Sequence, residues 1–519
     1  MNLKSDDRYL YALGGAVLGV TLSRAYDYAT KRVGEPVAGQ SMAADSAAAF
    51  KSAGSYLIDW IVKYRRDCRS MPVISTAGHN YLQKVLPGAA PEKGEGWEAI
   101  FQDLDKQIVP GLTHWSAPNT FFAYFKPHSA YPAVLAETLC AGLNVMGFDW
   151  IASPACTELE VVTLDWLGKF LNLPDKFLSS GKGPGGAVIQ GSAGESAIVV
   201  ILAAILQYEK KCKGAPTNRK DLVVFGSSQT HTIIKKACRI LGVAYQEIGV
   251  DETTDWSLQG RPVESAIQAS KKSGKVPIVV VATAGTTSSC AFDDLMGIGS
   301  VCQTHGIWLH VDAAYGGAYA CLPECAHLFK GLGSVTSFCV NAHKKLLCPF
   351  DVSALYLADR HPVVAALKVD SEYLRNEHSD SGAVVDFENW QLPLGRRFRA
   401  LKLWFVMRRF GTEGLRKHVR KGIELRKTVE GFIQNEYRDL FEIAAKPRLS
   451  LVCFRLKHYG DETQLAFLQA IKRTQKCFII HTKLNQRVVL RFACGGSEQT
   501  VEDVTLAWKT IRSVAQDLK

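Results

Sequence analysis

The stretch Gly186–Leu206, GAVIQGSAGESAIVVILAAIL, opens with five residues of a buried strand. A turn of small residues follows, and then a long apolar run at helical spacing. That succession is one half of a strand–helix–strand unit, and similar units recur downstream. DLVVF, VPIVVVAT, GIWLHVD and TSFCVN are continuous apolar runs separated by helical segments between about residues 185 and 360. Unbroken rather than alternating apolar runs indicate strands covered on both faces. Strands alternating with helices indicate an α/β fold with a mainly parallel sheet and helices on both faces. In such a sheet ligands bind beyond the carboxyl ends of the strands, so the residues just past these runs are the ones to read.

The rest of the chain is consistent with this. At 519 residues it exceeds the size at which one core stops growing. Composition is that of a globular protein, 47% apolar and 21% charged. The net charge of +11 resides largely in helical sequence such as RRFRALKLWFVMRRF, read as the charged edges of a packed helix. No nucleic-acid module accompanies it, and no nucleic-acid partner is expected. The 14 cysteines do not fall into paired ligand spacings and fit buried thiols of a reducing, cytoplasmic setting. Tyr9–Leu22 is an apolar run shorter than the ~20 residues a helix needs to span a bilayer. It is compatible with an anchor, a transit segment, a docking helix or a disordered arm, so membrane contact is expected only through residues 1–45.

Beyond the strand ends, a set of residues with complementary chemistry collects. Ser192, Ala193 and Gly194 place backbone N–H groups at a helix N-terminus, a cradle for an anion such as phosphate. Ser192 followed by Glu195 is equally the pattern of plain helix capping. His231 ends one strand segment, where an imidazole can lie on an aromatic ring. Thr286 and Thr287 can donate to an oxygen-rich ligand or serve a turn. Asp312 directly follows a buried strand, and a carboxylate there needs a cationic partner such as a protonated ring nitrogen, or a turn to cap. His310 and Asp312 supply only two ligands, and no metal is expected. NAHKKLL, Asn341–Leu347, brings Lys344 to the same edge. An anion cradle, a ring-facing histidine, a buried acid and a lysine together describe pyridoxal phosphate.

With those residues the chain resembles the pyridoxal-phosphate-dependent aromatic L-amino-acid decarboxylases (group II), from about Ser46 to the C-terminus. The motifs that carry the resemblance, in order, are PGLTHWSAPNTFFAYF, SPACTELE, QGSAGES, HVDAAYGG, NAHKKLLCPFDVSAL and WQLPLGRRFRALKLWFVMR. The resemblance implies a fold-type I homodimer with shared active sites. It divides the chain into an extension (1–45), a helical dimerisation segment (46–130), a large cofactor domain (131–400) and a small C-terminal α+β domain (401–519).

By motif, Lys344 is implied as the Schiff-base lysine, Asp312 as the pyridinium partner and His231 as the residue stacked on the ring, with Ala314 near its other face. Ser192, Ala193, Gly194, Asn341 and His343 would serve the phosphate, and Thr287 other polar groups of the cofactor. DSEYLRNEHSDSG resembles the family's mobile loop, with Tyr373 as proton donor. Relatives with phenylalanine there release an aldehyde instead. Trp115, Tyr124, Phe125, Gly395 and a partner-supplied Phe148 would surround the substrate ring. The implied reaction is decarboxylation of a tryptophan-, tyrosine- or DOPA-class amino acid to its arylalkylamine. The alternatives are an aromatic aldehyde synthase and a cofactor-free scaffold. Two internal departures stand out: Ala342 and Lys345 replace the family's usual proline and tryptophan, and Lys126–Pro127–His128 replaces a proline and small hydroxyl residue after Phe125. The N-terminal extension is also untypical.

Overall fold

The computed structural model describes residues 46–213, 218–369, 377–380 and 384–518. Residues 1–45 and Tyr373 lie outside the described residues. The chain forms two units, one ending at Ala117 and one spanning Pro118–Lys519. In the first, Ser46 caps the helix Ala47–Asp67, its hydroxyl accepting the Ala49 N–H at 3.1 Å. Within the same unit the Trp60 indole N–H donates to Asp105 at 2.7 Å.

The second unit is built on a seven-stranded sheet. Its strands are β1 (Gly186–Gln190), β2 (Leu222–Ser227), β3 (Ala244–Ile248), β4 (Val276–Thr283), β5 (Trp308–Asp312), β6 (Ser337–Asn341) and β7 (Ser353–Leu357). The spatial order is β1-β7-β6-β5-β4-β2-β3. β6, β5, β4, β2 and β3 pair in parallel, while β7 runs antiparallel to both β6 and β1. The five strands expected from sequence are all present, and the fold is the mainly parallel, fold-type I α/β architecture.

The reason the strands read as unbroken apolar runs is visible in their packing. Alternate residues feed two separate cores: Val223, Phe225, Val280 and Ala282 face one, and Val224, Val279 and Val281 face the other. Each fully buried valine contributes roughly 1.5–3 kcal/mol, so neither face tolerates polar alternation. A second sheet follows, β8 (Phe441–Arg448), β9 (Leu451–Leu456), β10 (Ile480–Leu484) and β11 (Arg487–Ala493), in the order β10-β11-β9-β8. Its core, around Phe441, Phe454, Phe492 and Trp508, also takes in Phe122, whose N–H donates to Phe478 O at 2.9 Å. The segment 121–130 is thereby held between the small sheet and the residues at the ends of the large one. All fourteen cysteines are free thiols, and all but Cys212 are buried. Among the described residues no helix is long and apolar enough to cross a membrane.

Candidate active site

At the carboxyl ends of β1, β4, β5 and β6 lies a cavity of about 250 Å³. Its walls include Ser192, Ala193, Gly194, His231, Thr287, Asp312, Ala314, Asn341 and Lys344, nine of the residues singled out in the sequence. It is also lined by Ile233, Thr283, Gly285 and Tyr315, which sequence reasoning did not single out. Thr283 and Tyr315 are hidden in a strand and in a glycine-rich turn, where apolar packing is the default reading. Gly285 has φ +88, and a Cβ there would meet the Gly316 backbone at 3.0 Å, so this turn admits only glycine without strain.

Each wall residue is held by its local chain. Ser192 is the N-cap of the helix Ala193–Lys211, its hydroxyl accepting the Glu195 N–H at 3.3 Å. The Glu195 carboxylate in turn accepts the Gly191 N–H at 2.9 Å, which closes the turn. Capping and an open anion cradle therefore coexist here. Asp312 ends β5 with only 6% of its surface exposed. Its Oδ1 accepts the Ala314 N–H at 3.0 Å and the Cys339 thiol at 3.8 Å. Lys344 sits on the one-turn helix Ala342–Lys345, directly after β6. Burial lowers its pKa, an effect opposed by Asp312 and Cys339 and reinforced by Arg491. His231, at the exposed mouth, accepts the Ile233 N–H on Nδ1 at 3.2 Å. Desolvation holds its pKa below the ordinary value, against the pull of Asp312.

Other expected residues lie elsewhere. His343 does not line the cavity; it stands behind Asn341, whose Nδ2 is 3.3 Å from His343 Nε2, and its Nδ1 accepts the Val352 N–H at 2.9 Å. Burial, reinforced by Lys344, pushes its pKa down to about 4. Thr286 serves the turn, accepting the Ala291 N–H at 3.0 Å. None of the five expected substrate residues lines the cavity. Phe125 packs against one of its walls, its ring stacked at 3.5 Å and 5° on Tyr315. Tyr124 is 43% exposed. Phe148 and Gly395 belong to adjoining segments, joined by the Gly147 N–H to Arg396 O at 3.2 Å, with Met146 beside Gly395. Trp115 belongs to the other unit.

Two of the quoted motifs meet under the cradle. Glu160, in SPACTELE, accepts the Ile189 N–H of β1 at 2.8 Å and pairs with Arg396, in LPLGRR. Both side chains are 1–2% exposed.

The donor set fits one kind of group. A planar cation would be held by the Asp312 carboxylate, an anion by the helix N-terminus, and an aldehyde by the Lys344 amine. Among the described residues Thr283 Oγ1 is buried without a partner in the same wall, which leaves a further polar contact for a ligand. Pyridoxal phosphate has these three features on one ring.

The comparisons agree. The sequence profile described as "Pyridoxal-dependent decarboxylase conserved domain" matches residues 79–457. An aromatic-L-amino-acid decarboxylase of Bos taurus is 41% identical over 476 residues, covering 91% of this chain and 96% of that protein. A 3,4-dihydroxyphenylacetaldehyde synthase of Drosophila melanogaster is also 41% identical, with coverages of 91% and 92%. The crystal structure of Oryza sativa TDC with PLP and tryptamine superposes with a TM-score of 0.89 at 34% identity, covering 92% of this chain and all of that one. The chain belongs to the pyridoxal-dependent decarboxylase family. It is a carboxy-lyase whose cofactor is pyridoxal 5′-phosphate.

Proposed function

We propose that this enzyme removes the α-carboxylate of an aromatic L-amino acid of the tryptophan, tyrosine or DOPA class, leaving the arylalkylamine. The observation that carries the reading is the convergence of the Lys344 amine, the Asp312 carboxylate and the N-terminus of the helix Ala193–Lys211 on one cavity. The bound cofactor supplies an electron sink for the pair of electrons left when carbon dioxide departs. Lys344, its pKa lowered by burial against the pull of Asp312, is the amine that would bond the cofactor aldehyde. Asp312 keeps the ring nitrogen protonated. Ser192 and the N–H groups of Ala193 and Gly194 hold the phosphate, with Asn341 and Thr287 as further polar contacts. His231, neutral at pH 7 because its pKa lies below the ordinary value, covers the mouth of the cavity without adding charge.

Reprotonation at Cα falls to Tyr373, the tyrosine of DSEYLRNEHSDSG. The substrate class is supported by the activities for which the relatives are named and by the aromatic pair Phe125–Tyr315 at the wall. A homodimer is supported by an apolar stripe on the helix Tyr131–Leu143. Leu135, Leu139 and Leu143 recur one turn apart and are each 42–51% exposed, with Met146, Leu392 and Leu394 exposed as well. In that dimer Phe148 and Gly395 of one protomer serve the site of the other.

The test is to incubate purified protein with added pyridoxal phosphate and a panel of aromatic L-amino acids and identify products by mass spectrometry. Amine and carbon dioxide are expected, with both the visible cofactor band and turnover lost in Lys344→Ala. Aldehyde with hydrogen peroxide and ammonia would replace this reading by the aldehyde synthase. A colourless, inactive wild type would replace it by the scaffold.

A further inference from the structure

Two departures from the family pattern, far apart in sequence, meet in the folded chain. Lys345 stands where the family usually has tryptophan, and its side chain is 1% exposed. Its amine donates to Gly495 O at 2.9 Å. Three elements make the socket: Gly422 of the helix Ala400–Gly431, Ser450 ahead of β9, and Gly495 beyond β11. A Cβ on Gly422 would lie 2.7 Å from Lys345 Nζ and 2.3 Å from Ser450 Oγ, and one on Gly495 only 2.0 Å from Nζ. Only glycine at both positions leaves room for the amine.

The other departure closes the same region. The His128 N–H donates to His343 O at 3.1 Å, and Lys126 Nζ ends 3.6 Å from where a Gly496 Cβ would sit. Lys126 and Lys345 therefore both end at the Gly495–Gly496 turn.

The socket leads to the cavity. Lys345 Nζ stands 5.8 Å from the centre of the Tyr319 ring. The Tyr319 hydroxyl is hydrogen-bonded to Ser450 Oγ at 2.5 Å and to the Tyr315 hydroxyl at 3.0 Å. Tyr315 lines the cavity and carries Phe125 on its face. We propose that Lys345 is a positioning residue that sets the aromatic wall of the cofactor cavity, through Tyr319 and Tyr315, and makes substrate binding sensitive to pH.

The groups that face Lys345 explain the sensitivity. Burial pushes its pKa down to about 7; Cys494 opposes this, and Lys126 and Lys421 add to it. His128 and His418 also face it, and burial and Lys345 together hold both imidazoles neutral, His418 at about 3. Tyr319 completes the surroundings. Among the described residues no carboxylate is among the groups that shift Lys345. Above about 7 the amine is neutral and seated. Below it a proton arrives in a socket of like charges, and repulsion from Lys126 and Lys421 loosens the seat and with it the Tyr319–Tyr315 pair. Affinity for the aromatic substrate falls accordingly, whereas the groups that carry the chemistry are untouched.

The kinetic arm of the test rests on the decarboxylase reading; a second arm does not. kcat and KM are measured from about one pH unit below to one above neutrality for wild type, Lys345→Met and Tyr319→Phe. The visible circular dichroism of the bound cofactor, which senses the asymmetry of the wall without turnover, is recorded in parallel. In wild type KM rises roughly fivefold on the acid side, the equivalent of one net hydrogen bond, with kcat little changed and a matching step in the dichroism. Lys345→Met shows neither step. Tyr319→Phe, which keeps the ring and deletes both hydrogen bonds, shows the raised KM at every pH. Steps that persist in Lys345→Met, or a wild-type KM and dichroism in Tyr319→Phe, overturn the proposal. Should Lys345→Met fail to fold, Tyr319→Phe decides alone. If no aromatic amino acid is turned over, the proposed function fails while the dichroism still decides this inference.

Discussion

Asp312→Asn isolates one charge in this site. The carboxylate is almost fully buried at the end of β5, and its Oδ1 already accepts the Ala314 N–H and the Cys339 thiol. Asparagine has the same shape and can keep an oxygen on both donors, so the backbone turn survives. What is lost is the negative charge opposite the cofactor's ring nitrogen, and with it the pull that raises the pKa of Lys344 and His231. Deleting one side of a buried, hydrogen-bonded charge pair costs about 2–5 kcal/mol. At about 1.4 kcal/mol per decade, kcat/KM should fall roughly 30- to several-thousand-fold. Amine formation is followed by chromatography, with cofactor content from the visible band and folding from far-ultraviolet circular dichroism. A folded, fully loaded Asp312→Asn that works within about fivefold of wild type would refute the assignment of Asp312 as the ring-nitrogen partner.

Glu160→Gln removes the charge that neutralises the buried Arg396 guanidinium and weakens the acceptor of the Ile189 N–H. A loss of about 3–5 kcal/mol is expected, read as a lower thermal midpoint and weaker cofactor retention, because Ile189 leads directly into the Ser192 cradle. An unchanged midpoint would show that the pair is dispensable. Tyr373→Phe should consume oxygen and yield aldehyde, hydrogen peroxide and ammonia in place of amine; undiminished amine output would remove Tyr373 as proton donor.

Much of this was legible along the chain because strand-end chemistry is local. An apolar run buried on both faces announces itself, and the residue that follows it must sit at the ligand edge, which is why Ser192, Asp312 and Asn341 could be singled out. β3 and β7 were not legible. AYQEI, at the edge of the sheet, is interrupted by Gln246 and Glu247 and only partly buried, and SALYL is a short apolar run after a proline-containing loop. Nothing local shows that β7 runs antiparallel, since direction is set by which neighbours accept its hydrogen bonds. The place of His343 was not legible either: its imidazole stands behind Asn341, with Nδ1 accepting the Val352 N–H.

The sequence by itself determined that a doubly covered sheet would form and that an acid and a lysine would stand at its ligand edge, since burial on both faces dictates residue type position by position. The motif already marked Lys344 as the cavity lysine; tertiary structure alone decided where its neighbour goes. On a one-turn helix successive side chains diverge by about 100°, so Lys344 faces the cavity while Lys345 turns into the gap between Gly422 and Gly495. Read along the chain, Lys345 was only a missing tryptophan. The glycines, the serine and the tyrosine that receive its amine come from four distant segments, and only folding brings them together.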